Sequence, residues 1–427
     1  MKDLPAINWR DIKRDLVLAA APNFFRKLVS YLVIVILARH LSKNDIGAFF
    51  FAATIASIAA LFTELGTTPY LTRRIAAEPE NAGEALSEVI SVRLPLLFLG
   101  CLALNGLVAL VYPDILQAVL LSTVYVYSAS LYSSFSAVFL GLRKVAYRTV
   151  TDVASQGVLL VLVYLAVRFA AHLDVVLSCY IVANLVLLAS GAFLVYSRIS
   201  RFGLVWDPPA LGRVVRAAAP LFALILLSVL LFKVDTLMLG AMSSLQAVAT
   251  YEAAYKFLEV SQIVVRPVPM IFLPLCARLV ARHQWSMLNG IIGKVLIGAG
   301  LSGLILGLGV GAGAVTIIDV VFGAEYASSA SILQVLFLSL PAVYLAFVGS
   351  ALANGLYLEN RLIRVTFVCL IVNIILNLIA IPLWGALGAA WTTLITEVLL
   401  AAWVLVLLSR HLRDFSGNAG TLVTGHM

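Results

Sequence analysis

Several apolar runs of about 20 residues or more set the first limit on this chain, because about 20 helical residues span a hydrocarbon core roughly 30 Å thick. A soluble domain would be about a quarter charged. Here 12% of the 427 residues are charged and 62% are hydrophobic, with a mean hydropathy of +1.05. The runs lack the period-two alternation of membrane strands, so the predicted class is all-α and polytopic. A net charge of +8 would fit a nucleic-acid partner only if it gathered on a soluble face. These charges instead punctuate the apolar runs, so no nucleic acid is expected.

About twelve spans are predicted, at roughly 16–40, 46–70, 89–112, 115–140, 149–170, 174–197, 214–241, 247–276, 291–318, 328–354, 363–383 and 386–409. Residues 1–15 read as an amphipathic cytoplasmic lead, and 411–427 as a flexible cytoplasmic tail. Asp3, Asp11 and Asp15 interrupt the basic N-terminal region, which argues against a cleavable signal. Twenty of the 29 basic residues fall on the side of the N-terminus, among them Arg73, Arg143, Arg201, Arg282 and Arg361. Only Lys43 falls clearly on the other side, with Arg39 and Arg168 at its border. The positive-inside rule therefore puts both termini in the cytoplasm and implies an even number of spans in a cell (cytoplasmic or inner) membrane.

The second half repeats the first. Ala19-Ala20-Ala21-Pro22 opens one pair of apolar runs and Ala217-Ala218-Ala219-Pro220 opens another. The break falls near Trp206-Asp207-Pro208-Pro209. This gives an N-terminal six-helix lobe at 16–205, a cytoplasmic linker at 206–213 and a C-terminal six-helix lobe at 214–410. Both lobes start inside, so an axis along the membrane normal should relate them.

Ionisable groups at membrane depth mark the candidate site. In the eighth span Glu252, Lys256 and Glu259 share a face, with Gln262 and Arg266 near it and Tyr251 and Tyr255 at its border. Their i, i+4 and i, i+3 spacings allow pairing within the helix. The face reads as a water-filled cavity wall; its alternative is a structural ion-pair ladder. In the first span Asn23, Arg26, Lys27 and Ser30 share a face, and the two cations have no acidic neighbour within a turn. They call for an anion, or else they snorkel to the surface. Lys233 and Asp235 interrupt the seventh span, Glu64 lies in the second span on a face with Thr54 and Ser57, and Glu397 is alone in the last. Asn23, Arg26, Lys27, Lys233, Tyr251, Tyr255, Lys256 and Arg266 are the candidate substrate-binding residues. Glu64, Asp235, Glu252 and Glu259 are the candidate ion-coupling residues.

Pro267, Pro269 and Pro274 predict a bent or broken eighth span. Gly303, Gly307 and Gly311, four residues apart, predict close helix packing in the ninth. Cys101, Cys179, Cys276 and Cys369 are far apart, without metal-ligand spacing, and read as small buried side chains. There is no GxxxxGK[ST], HExxH or GxSxG, and the short connections leave little room for an enzyme site. Neither a catalytic residue, a metal nor a cofactor is expected beyond a coupling H⁺ or Na⁺. A membrane glycan polymerase or ligase is the enzymatic alternative, disfavoured because no large outer loop is present.

The last two spans contain Asn373-x-x-x-Asn377 and Ile381-Pro382-x-x-Gly385-x-x-Gly388-Ala389-Ala390-x-Thr392. With Ala38-Arg39-x-Leu41 through Glu64-Leu65-Gly66 to Arg73-Arg74-Ile75-Ala76, and Val234-Asp235 through Tyr251-x-Ala253-Ala254 to Pro269, this order resembles the polysaccharide-biosynthesis flippases. These include the O-antigen repeat-unit flippases, in the multidrug/oligosaccharidyl-lipid/polysaccharide exporter superfamily. The resemblance implies two six-helix lobes around a central cavity lined by the first, second, seventh and eighth spans. It implies transport of polyprenyl-diphosphate-linked oligosaccharide from the cytoplasmic to the outer leaflet by alternating access, beside glycosyltransferases or a glycan polymerase. The alternative is an H⁺- or Na⁺-coupled exporter of small drugs or metabolites. About twelve spans fall short of the fourteen typical of lipid II flippases, and a basic first span departs from the acidic sites of the multidrug exporters.

The topology is testable in a background lacking the native cysteines. Single cysteines at Arg143, Arg201, Arg282 and Arg361 should label only from the cytoplasm, and those at Lys43 or Ala324 from outside. Labelling of any one site from both sides of intact cells would overturn the span assignment.

Overall fold

The computed structural model describes residues 27–169, 172–205, 207–282, 284–356 and 358–423. Among these the chain is helical and contains no β-strand. The described part of the first span is α1 (Lys27–Ala38). It is followed by α2 (Lys43–Glu64), α3 (Thr67–Ala77), α4 (Ala82–Val111), α5 (Leu116–Gly141), α6 (Val145–Phe169) and α7 (Leu173–Arg198). The second half comprises α8 (Pro208–Met242), α9 (Leu245–Ser261), α10 (Pro267–Ala281), α11 (Trp285–Ala312) and α12 (Ala314–Phe322). It ends with α13 (Ser329–Leu338), α14 (Leu340–Gly355) and α15 (Glu359–Val423). Among the described residues eight helices are long and apolar enough to cross a membrane, or nine if α13 and α14, bent by 47°, make one crossing.

The long α15 is two legs. Straight, its 65 residues would extend about 98 Å, three times the thickness of a bilayer core. It breaks at Gly385, where φ is 56° and ψ −133°, three residues after Pro382. Side chains from both legs line one cavity, so the second leg runs back beside the first. The tail expected from residue 411 continues as helix to Val423, since no proline follows Pro382 to stop it.

Three breaks decide where charges lie. The second span does not run on to residue 70 as expected. Helix α2 stops at Glu64 because Leu65 (φ 47°) and Gly66 (φ 70°) are both left-handed. Glu64 is therefore the last residue of its span rather than a residue within it. The eighth span breaks as its prolines require: α9 ends at Ser261, a 3-10 turn covers Gln262–Val264, and Pro267 begins α10. In α11 the close approach holds for two of the three glycines. A Cβ on Gly303 would lie 2.8 Å from the Pro341 Cα, and one on Gly307 2.5 Å from the Phe337 carbonyl oxygen. Gly311 faces open space.

The chain falls into two compact units. One runs to Gly240 and includes Ser244–Ala249; the other holds Ala241–Ser243 and resumes at Thr250. This division lies later than the repeat break near 206–213, because α8 packs on the first half: Phe222 meets Phe62 edge-on, with ring centres 5.4 Å apart. In the first unit α5 is the hub, touching α2, α3, α4, α6 and α7. Its core includes Leu71, Leu86, Val89, Phe135 and Phe139. In the second unit α14 touches α10, α11 and α15. Large apolar side chains such as Phe98, Leu110, Phe169, Ile305 and Trp384 are exposed, the reverse of a soluble surface and the condition of a lipid-facing one.

Gly307→Ala should destabilise the protein by about 1–3 kcal/mol, since backbone must give way. Gly309→Ala, with nothing within 4 Å of the added carbon, should be neutral or better. Thermal unfolding in detergent compares the two, and equal midpoints would refute the close contact.

Candidate functional site

Each unit contains a charged cluster inside its helices. In the first unit the centre is Arg93, midway along α4 and 0% exposed. Its Nη1 donates to Ser133 Oγ at 2.9 Å and also to Ser134 Oγ. Its Nη2 donates to Ser130 Oγ at 3.3 Å and lies 3.4 Å from Glu64 Oε2. Nε has no hydrogen-bond partner among the described residues. The serines line up because positions 130, 133 and 134 share one face of α5. Ser133 also meets Thr68 of α3 at 2.7 Å. Three helices thus meet at one guanidinium, and α3 joins them through Ser133.

Glu64 reaches this centre because α2 ends there. A carboxylate at a helix C-terminus opposes the helix dipole by about 0.3–1 kcal/mol. Arg93 offsets that cost, and Glu64 stays 22% exposed. A second pair, Arg74 to Glu88, joins α3 to α4.

In the second unit the predicted ladder on α9 is present and graded. Lys256 Nζ is 3.9 Å from Glu252 Oε2 and 2.7 Å from Glu259 Oε2. Exposure rises along it, from 0% at the Glu252 side chain through 15% at Lys256 to 30% at Glu259. Only the Glu259 end is open to the surroundings; the Glu252 end is a packed ion pair. Tyr251 and Tyr255 are buried behind it and stacked, with ring centres 5.5 Å apart. The Tyr251 hydroxyl pairs with Thr393 Oγ1 at 3.1 Å. On α15, Asn377 Nδ2 donates to Asn373 Oδ1 at 2.9 Å, so the asparagine pair seen in the sequence is a buried hydrogen-bonded unit.

The remaining predicted residues are more dispersed. Arg266 is exposed at the head of α10, where its Nη2 donates to Gln262 Oε1 at 3.3 Å. Lys27 is half-buried at the start of α1, whereas Asn23 and Arg26 lie outside the described residues. In α8 Asp235 is buried and Lys233 half-buried, both in the first unit. Glu397 is half-buried in α15. Cys179, Cys276 and Cys369 are buried as expected, and Cys101 is half-buried. Among the described residues no three His, Cys, Asp or Glu side chains gather as metal ligands. Sequence reasoning passed over Arg93. Its signal was a basic residue inside an apolar run, matched by the serine-rich stretch 128–136 in the next one.

A model of the family described as polysaccharide biosynthesis protein matches residues 12–280. The chain belongs to that family. The fold is that of the multidrug/oligosaccharidyl-lipid/polysaccharide exporters. The lipid II flippase MurJ in an inward closed conformation matches with a TM-score of 0.73 at 15% identity, over 96% of this chain and 93% of that one. An inward-facing multidrug resistance MATE family transporter of the superfamily matches at 0.71 and 14%, over 92% and 96%. A superfamily transporter from Pyrococcus furiosus, described by a binding pocket of reverse polarity, matches at 0.66 and 16%, over 95% and 97%. Each shares the fold and carries a transporter or flippase name. No curated protein matches the sequence.

Removing one partner of a buried pair typically costs about 3–5 kcal/mol. Arg93→Met should fall near the lower bound, because Glu64 keeps some solvent. Glu64→Gln should cost less, since the guanidinium retains its three serines. Adding Glu64→Gln to Arg93→Met should restore part of the loss. A strictly additive double mutant, judged by the thermal midpoint in detergent, would refute the pairing.

Proposed function

We propose that this protein is a flippase for lipid-linked oligosaccharide. It carries polyprenyl-diphosphate-linked repeat units from the cytoplasmic to the outer leaflet of the cell membrane by alternating access. The observation that carries this reading within its family is the position of Lys256. A cation-coupling site needs a carboxylate whose charge is uncompensated, whereas Lys256 lies within 4 Å of both α9 carboxylates. Glu64 likewise faces Arg93. Two of the carboxylate sites available to a coupling ion thus already contain a cation.

A ladder of both signs that opens toward Glu259 suits a ligand with hydroxyls and anionic oxygens. Lys256 and Arg266 would meet the diphosphate through charge-assisted hydrogen bonds; Arg26, Lys27 and Lys233 are the further basic candidates, on the other unit. Tyr251 and Tyr255 would hold the ladder from behind. The polyprenyl chain would stay among the bilayer lipids. Glycosyltransferases would supply the substrate on one side and a glycan polymerase would consume it on the other. An ion gradient or the substrate gradient itself would drive the cycle, with no resident cofactor and no bond made or broken. Both termini would be cytoplasmic.

The competing reading is a cation-coupled exporter of small molecules, favoured by the multidrug transporters that share the fold. It places coupling at Asp235, Glu252 or Glu259. The two readings part on charge. Lys256→Gln and Arg266→Gln should each abolish most export of lipid-linked oligosaccharide in cells or proteoliposomes, and overproduced wild type should confer no drug resistance. Arg26→Ala and Lys27→Ala should impair export without blocking insertion. Normal export by the Lys256 and Arg266 variants, with Glu252→Gln and Glu259→Gln inactive, would transfer the site to a cation.

A further inference from the structure

The two legs of α15 enclose a cavity of about 320 Å³ that the transport reading does not use. The first leg contributes Arg361, Arg364, Val365 and Val368; the second contributes Trp403, Val406, Leu407 and Arg410. Its rim therefore bears three guanidinium groups and its wall is hydrocarbon. All three arginines are exposed, and none makes an ion pair with a described residue. Glu359, two residues before Arg361, is not part of the lining. Trp403, Val368 and Val406 are exposed to the surroundings that the lipid-facing helices share.

We infer that this groove is a binding site for an anionic phospholipid of the leaflet at that end of α15. Its phosphate would be gripped by Arg361, Arg364 and Arg410, and one acyl chain would lie along Val365, Val368 and Leu407. The chemistry is specific in three ways. Guanidinium groups bind phosphate oxygens bidentately, and three of them around one mouth outweigh the scattered basic residues of a membrane surface. An exposed indole, Trp403, stands on the same wall beside the acyl path. The wall is apolar where an acyl chain would run, whereas a glycan would need hydrogen-bonding groups there. A basic pocket between membrane helices is a site for acidic headgroups. The proposal does not rest on the flippase reading, and its failure would leave that reading intact.

The test uses the full chain in detergent, titrated with phosphatidylglycerol or with phosphatidylcholine of the same acyl chains, with bound lipid counted by native mass spectrometry. Wild type should retain phosphatidylglycerol preferentially, by about tenfold. Arg361→Gln/Arg364→Gln/Arg410→Gln should lose that preference. Arg198→Gln/Arg201→Gln/Arg282→Gln, with the same net charge, should keep it. Phosphatidylglycerol with brominated chains should quench tryptophan fluorescence in wild type and less in Trp403→Phe, a readout that needs no multiple variant. Undiminished preference in the groove variant, or equal quenching in Trp403→Phe, would overturn the site. Displacement of phosphatidylglycerol by undecaprenyl diphosphate at equal concentration would overturn it in favour of a substrate-lipid site.

Discussion

A guanidinium inside a lipid-embedded helix bundle has nowhere to place its charge except on other protein groups. Arg93 is fully enclosed, and its surroundings are arranged around that fact. Three serine hydroxyls from α5 accept its hydrogens, and Glu64 supplies the opposite charge. For Glu64 to do so, α2 must stop where it does, and the left-handed pair Leu65–Gly66 stops it. Charge satisfaction, helix length and backbone conformation are thus a single constraint in this unit. The serines bring no formal charge of their own, so with Glu64 opposite Arg93 the cluster stays close to neutral.

The ladder on α9 answers the same requirement differently. There the cation and both carboxylates come from one helix, so the pairing needs no partner element and can persist while neighbouring helices move. Its gradient of exposure is the chemically informative part. The Glu252 end is a closed contact that fixes the helix, and the Glu259 end has surface to offer a ligand. In the proposed reading, a single α-helical face would serve structure at one end and recognition at the other. The proline-rich break just beyond Ser261 separates that face from the exposed Arg266.

Much of this was legible in the chain because helix periodicity is a local property. The Glu252-Lys256-Glu259 spacing requires their proximity whatever else the fold does, and Pro267 demands a helix start. The asparagine pair at 373 and 377 is legible for the same reason. What escaped was set by contacts between distant segments. Arg93 becomes a centre only when α5 brings Ser130, Ser133 and Ser134 to it, some 40 positions away. Glu64 looked like a mid-span carboxylate because hydropathy runs smoothly through Leu65–Gly66, while the backbone turns there. The spacing of Gly303, Gly307 and Gly311 implied three contacts. Which of them exist is a property of the partner helices.

The single-residue turn at Gly385 bears on how the protein is made. A membrane helix usually enters the bilayer after a polar loop on its far side has been carried across or held back. Between the two legs of α15 there is no such loop, only Pro382 and the kink at Gly385. The two legs therefore form one hairpin, each leg long enough to cross a bilayer core, joined by a turn that offers no polar segment to either side of the membrane.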